Sequence, residues 1–137
     1  MIKKLDWNTY HQYIDKLYEK ITEDPNGDDY KYIAGVDSDD AIVAVHLSHK
    51  LNIPVISNMD LLSFIKNMTD TTDVLVVSNV VETGKKFKMI ASQIGSGFDT
   101  AALFVDKNAQ WKPTYFVEIP KNYIYFPWQK CGIDVTE

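Results

Sequence analysis

The sequence holds a single cysteine, Cys131, in 137 residues, so no disulfide framework can form within the chain. Its opening, Met1-Ile2-Lys3-Lys4-Leu5-Asp6, lacks the apolar stretch of a secretion signal, and a reduced, cytoplasmic setting is expected. No run approaches the ~20 apolar residues of a membrane-spanning helix. Six glycines and five prolines are too few for a disordered linker protein. Lys and Arg number 14 against 19 Asp and Glu, a formal charge of −5. No basic tract offers the footprint that a nucleic-acid backbone requires, which argues against nucleic acid as the main partner. Internal repeats and low-complexity tracts are also missing. What is there is 45% hydrophobic and 24% charged, the make-up of one acidic domain able to bury roughly two-thirds of its unfolded surface.

The apolar positions Tyr10, Ile14, Leu17, Tyr18 and Ile21 follow a 3.6-residue period and predict a helix over Trp7 to Thr22. The turn formers Asp24-Pro25-Asn26-Gly27-Asp28 stop it. Tyr32 to Val36 reads as a buried strand, a helix follows over Asp40 to Leu51, and Ile53 to Ile56 is a further short strand. Leu61, Leu62, Ile65 and Met68 suggest another helix. Val74-Leu75-Val76-Val77 is apolar without alternation, the mark of a strand buried on both faces in a parallel sheet. Phe87, Ile90, Ala91 and Ile94 mark a helix ended by Gly95-Ser96-Gly97, and Thr100 to Val105 is a strand. Strands alternating with helices imply βαβ units and an α/β fold: three layers around a mostly parallel twisted sheet. From Lys107 the chain changes character. Trp111, Tyr115, Phe116, Tyr123, Tyr125, Phe126 and Trp128 crowd among Pro113, Pro120 and Pro127, which suggests a small C-terminal aromatic hood (about 107–137) on a core of about 1–106, within one domain. Trp128 and Phe126 are expected in the core.

In open α/β sheets, ligands collect where strands lead into helices. The segment Ser78-Asn79-Val80-Val81-Glu82-Thr83-Gly84-Lys85-Lys86 follows the strongest strand. A Thr-Gly pair at a helix start offers backbone N–H groups, a hydroxyl and the positive end of the dipole, and two lysines add charge, so a phosphate suits it. An ordinary turn in which Glu82 or Thr83 caps the helix is the competing reading. The nucleotide P-loop spacing is absent.

These residues carry a resemblance. Val74 to Phe87 resembles the phosphoribosyl pyrophosphate (PRPP) fingerprint of type I phosphoribosyltransferases. The Trp7 helix, the unit from Ile33 through Leu51-Asn52-Ile53-Pro54-Val55, and Val117-Glu118-Ile119-Pro120-Lys121-Asn122-Tyr123-Ile124 with Pro127-Trp128 are similar, in order, to the xanthine-guanine and hypoxanthine members of the purine branch. The resemblance implies transfer of a phosphoribosyl group from PRPP to a 6-oxopurine, with Mg²⁺ gathering the diphosphate. It places Glu82 to Lys86 around the 5′-phosphate, with the Thr83 hydroxyl and the Gly84, Lys85 and Lys86 backbone as donors. It makes Glu82 the general base for the purine proton, stacks Tyr123 on the purine, sets the Ile124 backbone at its edge, and directs Lys107, with Asp106 as the neighbouring alternative, to the 6-oxo group. PRPP or a purine nucleotide is the implied partner, and a homodimer or homotetramer the implied assembly.

Two departures stand out. Where the family usually carries two carboxylates on the ribose hydroxyls, this chain has Ser78 and Asn79, which hydrogen-bond without charge. Where the family places a Gly-Gly pyrophosphate loop, this chain reads Asp37-Ser38-Asp39-Asp40. Three carboxylates would repel a diphosphate, and side chains replace the glycines that allow close backbone approach. Mg²⁺ could bridge carboxylates to phosphates; alternatively, Asp39 or Asp40 caps the following helix. Weaker PRPP binding or slower reaction is expected, and a catalytically inactive nucleotide- or phosphate-binding regulatory module on the same fold is the alternative function. An interaction scaffold without a small ligand is a third reading. His46 and His49 lie at i, i+3 without an evident third metal ligand, His11 has no partner in sequence, Cys131 lacks the context of a nucleophile, and Asn67-Met68-Thr69 fits a glycosylation sequon that matters only on secretion.

Overall fold

The computed structural model describes residues 2–27, 29–56, 63, 66–67, 70–95 and 97–129. The helix expected around Leu61, Leu62, Ile65 and Met68, the sequon residues Met68 and Thr69, Ser96 and the Cys131 tail lie outside them. The elements in chain order are β1 (Ile2–Lys4), α1 (Trp7–Glu23), β2 (Tyr32–Gly35), α2 (Ser38–Leu51), β3 (Val55–Ile56), a 3₁₀ turn (Thr71–Asp73), β4 (Val74–Val81), α3 (Lys85–Ile94), β5 (Asp99–Val105), β6 (Tyr115–Glu118) and β7 (Tyr123–Tyr125).

The main sheet has the order β3-β2-β4-β5-β6 and every pairing in it is parallel. Parallel neighbours need crossovers, and the helices supply them on both faces. Ile33, Leu75, Val77, Ala101 and Leu103 point to the α1 and α2 side, whereas Ala34, Val74, Val76 and Ala102 join Phe87, Ile90 and Phe98 on the α3 side. This two-sided burial is why Val74 to Val77 is apolar without a break. The expected three layers are present.

The helices owe their ends to local chemistry. Asp6 caps α1 by accepting the Thr9 N–H at 2.7 Å, and α1 buries Tyr10, Tyr13, Ile14, Leu17 and Ile21. Tyr13 thus joins the expected stripe, while Tyr18 is only half-buried. Helix α2 stops at Asn52, whose φ of 57° is the left-handed conformation that asparagine tolerates. Its start lies tight on the sheet: a Cβ on Gly35 would fall 2.5 Å from the Ala41 nitrogen, so glycine at the end of β2 is what lets the helix approach.

The aromatic tail is more closely woven into the fold than its composition suggests. β6 is the edge strand of the main sheet, beside β5, and β7 pairs in parallel with β1 in a second, two-stranded sheet, with Ile2 opposite Tyr123. Leu5 N–H donates to the Tyr125 carbonyl at 2.8 Å. Phe126 is buried and stacks on Trp128 at a centroid distance of 5.0 Å; Trp128 is half-buried against the core. At the opposite end of the sheet, Tyr115 donates to Asp24 (2.5 Å), and Tyr30 donates to Asp99 and meets the Tyr115 hydroxyl at 3.0 Å. These bonds tie the turn after α1 to β5 and β6. No helix among the described residues is long and apolar enough to cross a membrane.

Candidate functional site

Strands β2 and β4 are neighbours, so their carboxyl ends bring the Asp37 and Glu82 segments together. β4 runs to Val81, which corrects the expectation of a loop from Ser78: Ser78 to Val81 are strand, and only Glu82 to Gly84 turn. A cleft of about 380 Å³ opens there, bordered by Asp37, Asp39, Ser78, Glu82 to Lys86 and Tyr123 among others. A second cleft of about 650 Å³ holds Asp106, Lys107, Lys121 and Asn122, and both share Val80, Glu82, Tyr123 and Ile124.

Helix α3 begins without a side-chain cap. Gly84 occupies the cap position with φ 87°, so neither Glu82 nor Thr83 caps it; the Thr83 hydroxyl oxygen accepts the Lys85 N–H at 3.2 Å within the turn. The turn is anchored from behind by Gln110 N–H on the Thr83 carbonyl at 3.0 Å and by Asp106 N–H on the Val81 carbonyl at 2.8 Å. A Cβ on Gly84 would come within 2.4 Å of the Trp111 Cβ and 2.7 Å of its nitrogen, so both space and the positive φ require glycine. An uncapped helix start facing a cleft with Lys85 and Lys86 beside it is suited to an anion.

The facing loop is the reverse. Asp37 caps α2, its carboxylate accepting the Asp40 N–H at 3.2 Å, while the Asp40 carboxylate accepts the Asp37 N–H at 3.3 Å. This reciprocal box corrects the expectation that Asp39 or Asp40 is the cap. Nor do three carboxylates face the cleft together. Asp40 is fully buried and turns toward β4, where it accepts the Ser78 hydroxyl at 3.2 Å and the Asn79 N–H at 2.9 Å. Burial pushes its carboxyl up to about 7, against the lowering effect of the Asn79 N–H and with the Asp37 charge adding to the rise. Asp37 forms an ion pair with Lys86, whose ammonium also lies 4.0 Å from Asp40. Partial burial disfavours the Asp37 charge, but the Lys86 bond and the Asp40 N–H prevail and hold that carboxyl low; burial is likewise outweighed at Lys86, which the acidic neighbours raise. Asp39 borders the cleft, and Gln129 donates to it at 3.5 Å.

The two residues standing where carboxylates were expected are committed locally. The Ser78 hydroxyl also reaches the Val80 carbonyl at 3.1 Å, and the Asn79 side-chain oxygen accepts the Val80 N–H at 2.7 Å. In the second cleft, Tyr123 is 57% exposed and Ile124 is buried. Lys107 is exposed at the mouth, and the Asp106 carboxylate accepts the Asn108 N–H at 3.0 Å. Gln129, Phe126, Lys121 and Asn122 also border the clefts, a role not assigned to them from sequence; only proximity to Tyr123 could have flagged the last two.

Among the described residues no group of three or more His, Cys, Asp or Glu could hold a metal ion. Asp37 is paired with Lys86 and Asp40 is buried, so this loop offers no assembled cluster for Mg²⁺. His46 hydrogen-bonds through Nδ1 with the Tyr10 hydroxyl at 2.7 Å and packs 5.1 Å from the His11 ring. Burial, with the His11 and His49 charges, lowers its pKa.

No family model and no curated protein matches the chain. Solved structures do. The chain is similar to a purine phosphoribosyltransferase from Pyrococcus horikoshii, with 24% identity, TM-score 0.73 and 94% of this chain and 95% of that one covered. It is similar to the Helicobacter pylori xanthine-guanine-hypoxanthine phosphoribosyltransferase, with 17% identity, TM-score 0.76 and 99% of each chain covered. It is also similar to a hypothetical protein from Neisseria gonorrhoeae with bound ppGpp, with 19% identity, TM-score 0.73 and 98% and 94% covered. At these identities the likeness establishes the fold, which is that of the phosphoribosyltransferases.

Proposed function

We propose that this protein binds a 6-oxopurine nucleoside 5′-monophosphate across the two joined clefts and acts as a purine phosphoribosyltransferase-like protein of nucleotide salvage, with transfer from PRPP slowed by its acidic loop. The observation that carries this reading is the junction. The uncapped start of α3 and the exposed ring of Tyr123 open into clefts that share Val80, Glu82, Tyr123 and Ile124. One ligand can therefore place a phosphate at one end and a flat ring at the other. Likeness to two purine phosphoribosyltransferases and to a protein holding ppGpp supports a purine nucleotide as the ligand class.

In the forward reaction a purine ring nitrogen bonds to the anomeric carbon, the bond from that carbon to the diphosphate oxygen breaks, and pyrophosphate leaves with the electron pair. The proton lost by the ring goes to Glu82, which borders both clefts and so lies where ring and ribose meet. The α3 amides, the Thr83 hydroxyl and Lys85 hold the 5′-phosphate, Tyr123 stacks on the ring, and Lys107 donates to its oxygen. Mg²⁺, if bound, would supply charge neutralisation at the diphosphate, but among the described residues no cluster of carboxylates is assembled to hold it.

A second reading, a nucleotide-binding regulatory module without turnover, is favoured by the capping box at Asp37 and Asp40, which occupies the loop where a diphosphate would be wrapped. Calorimetric titration with guanosine and inosine monophosphates, paired with a pyrophosphate-release assay using PRPP, Mg²⁺ and guanine, hypoxanthine or xanthine, tests both. Binding with release supports the transferase, binding without release leaves the module, and no binding refutes both. Self-association as a dimer or tetramer belongs to the same proposal and is read by light scattering.

A further inference from the structure

We propose that Asp37 is a specificity-determining residue that makes this site favour one phosphate at α3 and weakens its hold on a diphosphate beside it. The inference rests on the nucleotide reading above and assigns the selectivity to one side chain. The first cleft is bordered by two ammonium groups, Lys85 and Lys86, and three carboxylates, Asp37, Asp39 and Glu82. It is already one negative charge in excess before any ligand enters. Lys86 reaches from the α3 start to Asp37 across the cleft and is thereby the cation common to both loops. Both side chains are partly exposed, 56% and 42%, so the pair is weakly held and its lysine can change partners.

The consequence follows from charge. A phosphate dianion at the α3 amides attracts Lys86, and as the ammonium turns to it Asp37 is left uncompensated on the opposite wall. A second phosphate group on the same ligand would then meet a bare carboxylate. The Asp37 and Asp40 amides cannot compensate, because each already donates to the other residue's carboxylate. One lysine cannot neutralise both the incoming phosphate and the aspartate. A monophosphate needs only the first, whereas PRPP and pyrophosphate need both.

Asp37→Asn is the informative variant, since asparagine caps a helix as well as aspartate and keeps the acceptor for the Asp40 N–H, while its charge is lost. Calorimetric titrations of guanosine monophosphate and of inorganic pyrophosphate, each with and without Mg²⁺, are compared between the unaltered protein, Asp37→Asn and Asp39→Asn, with melting curves to confirm folding. The expected result is a gain of about tenfold or more in pyrophosphate affinity for Asp37→Asn, a change of no more than about threefold for the monophosphate, and a smaller pyrophosphate gain for Asp39→Asn. Equal gains for both ligands, or equal gains from the two variants, would reduce the effect to net charge and overturn the assignment. Mg²⁺-dependent pyrophosphate binding by the unaltered protein that disappears in Asp37→Asn would make Asp37 a metal ligand and also overturn it. If the unaltered protein fails to bind the monophosphate, the nucleotide reading falls by itself; the pyrophosphate arm still decides the role of Asp37.

Discussion

The loops after β2 and β4 are both strand-to-helix turns at adjacent carboxyl ends of one sheet, yet they solve the helix-start problem in opposite ways. At α2 the chain supplies its own anions, Asp37 and Asp40, to the first-turn N–H groups; at α3 it supplies glycine and leaves the start uncapped. A helix start closed by carboxylates on its cap and third residue presents negative charge, whereas one without a cap side chain keeps its dipole and its Lys86 and Phe87 amides turned outward. Two neighbouring turns of one topology thus present opposite charge to the cleft because of which side chain stands at the cap position.

The largest expected effect comes from destroying the open turn. Gly84→Val places a branched side chain against Trp111 at positive φ and should cost about 3 kcal/mol of stability along with phosphate binding, measured by urea unfolding and calorimetry; a fully stable, binding-competent variant would show that the turn does not need its glycine.

The buried end of the closed loop is next. Asp40→Ala strands the Asn79 and Asp37 N–H groups and leaves the Ser78 hydroxyl only its Val80 carbonyl, and should lose about 2 to 3 kcal/mol, again by urea unfolding, while Asp40→Asn should lose less. The pair also has a pH signature. The folded pKa of Asp40, about 7, lies above its ordinary 3.8, so the folded chain holds this proton more tightly than the unfolded one. The stability this contributes is complete below about pH 4 and is lost as pH rises through about 7. Asp37, held low, contributes in the opposite sense, present above about pH 4 and lost on acidification. The stability of the unaltered protein relative to Asp40→Asn should therefore fall between pH 5 and pH 8, and a constant difference would mean that Asp40 does not titrate there.

A smaller effect isolates the base end. Tyr123→Ala should weaken guanosine monophosphate binding by about tenfold, as loss of a stacking face does, and leave inorganic phosphate affinity unchanged; equal losses for both ligands would place Tyr123 outside the base site. Smallest is Thr83→Val, which removes one hydroxyl from the open turn and should weaken monophosphate binding roughly threefold to tenfold with little change in melting temperature.

Much of the fold could be read in the chain. The stripe on α1, the unbroken Val74 to Val77 and the breakers around Pro25 are local patterns, and each gave its element to within a few residues. What escaped was set by long-range pairing. Nothing in Ile2-Lys3-Lys4 announces a strand, because β1 exists only through its pairing with β7, and Tyr115–Glu118 is the sheet edge only because β5 lies alongside. At the site, the residues of both loops were legible as types but not as roles. Asp37, Asp39 and Asp40 read alike as three acids of one turn, although one pairs with a lysine, one borders the cleft and one is buried.

By itself the sequence determined an acidic α/β chain with a Thr-Gly turn followed by two lysines after one strand and an acidic turn after another, since residue type and periodicity are local properties. The tertiary structure alone decided which carboxylate faces which group. Lys86 and Asp37 are 49 positions apart, Asp40 and Ser78 are 38, and only the parallel pairing of β2 with β4 places their ends side by side, close enough for charge and hydrogen bonding to act.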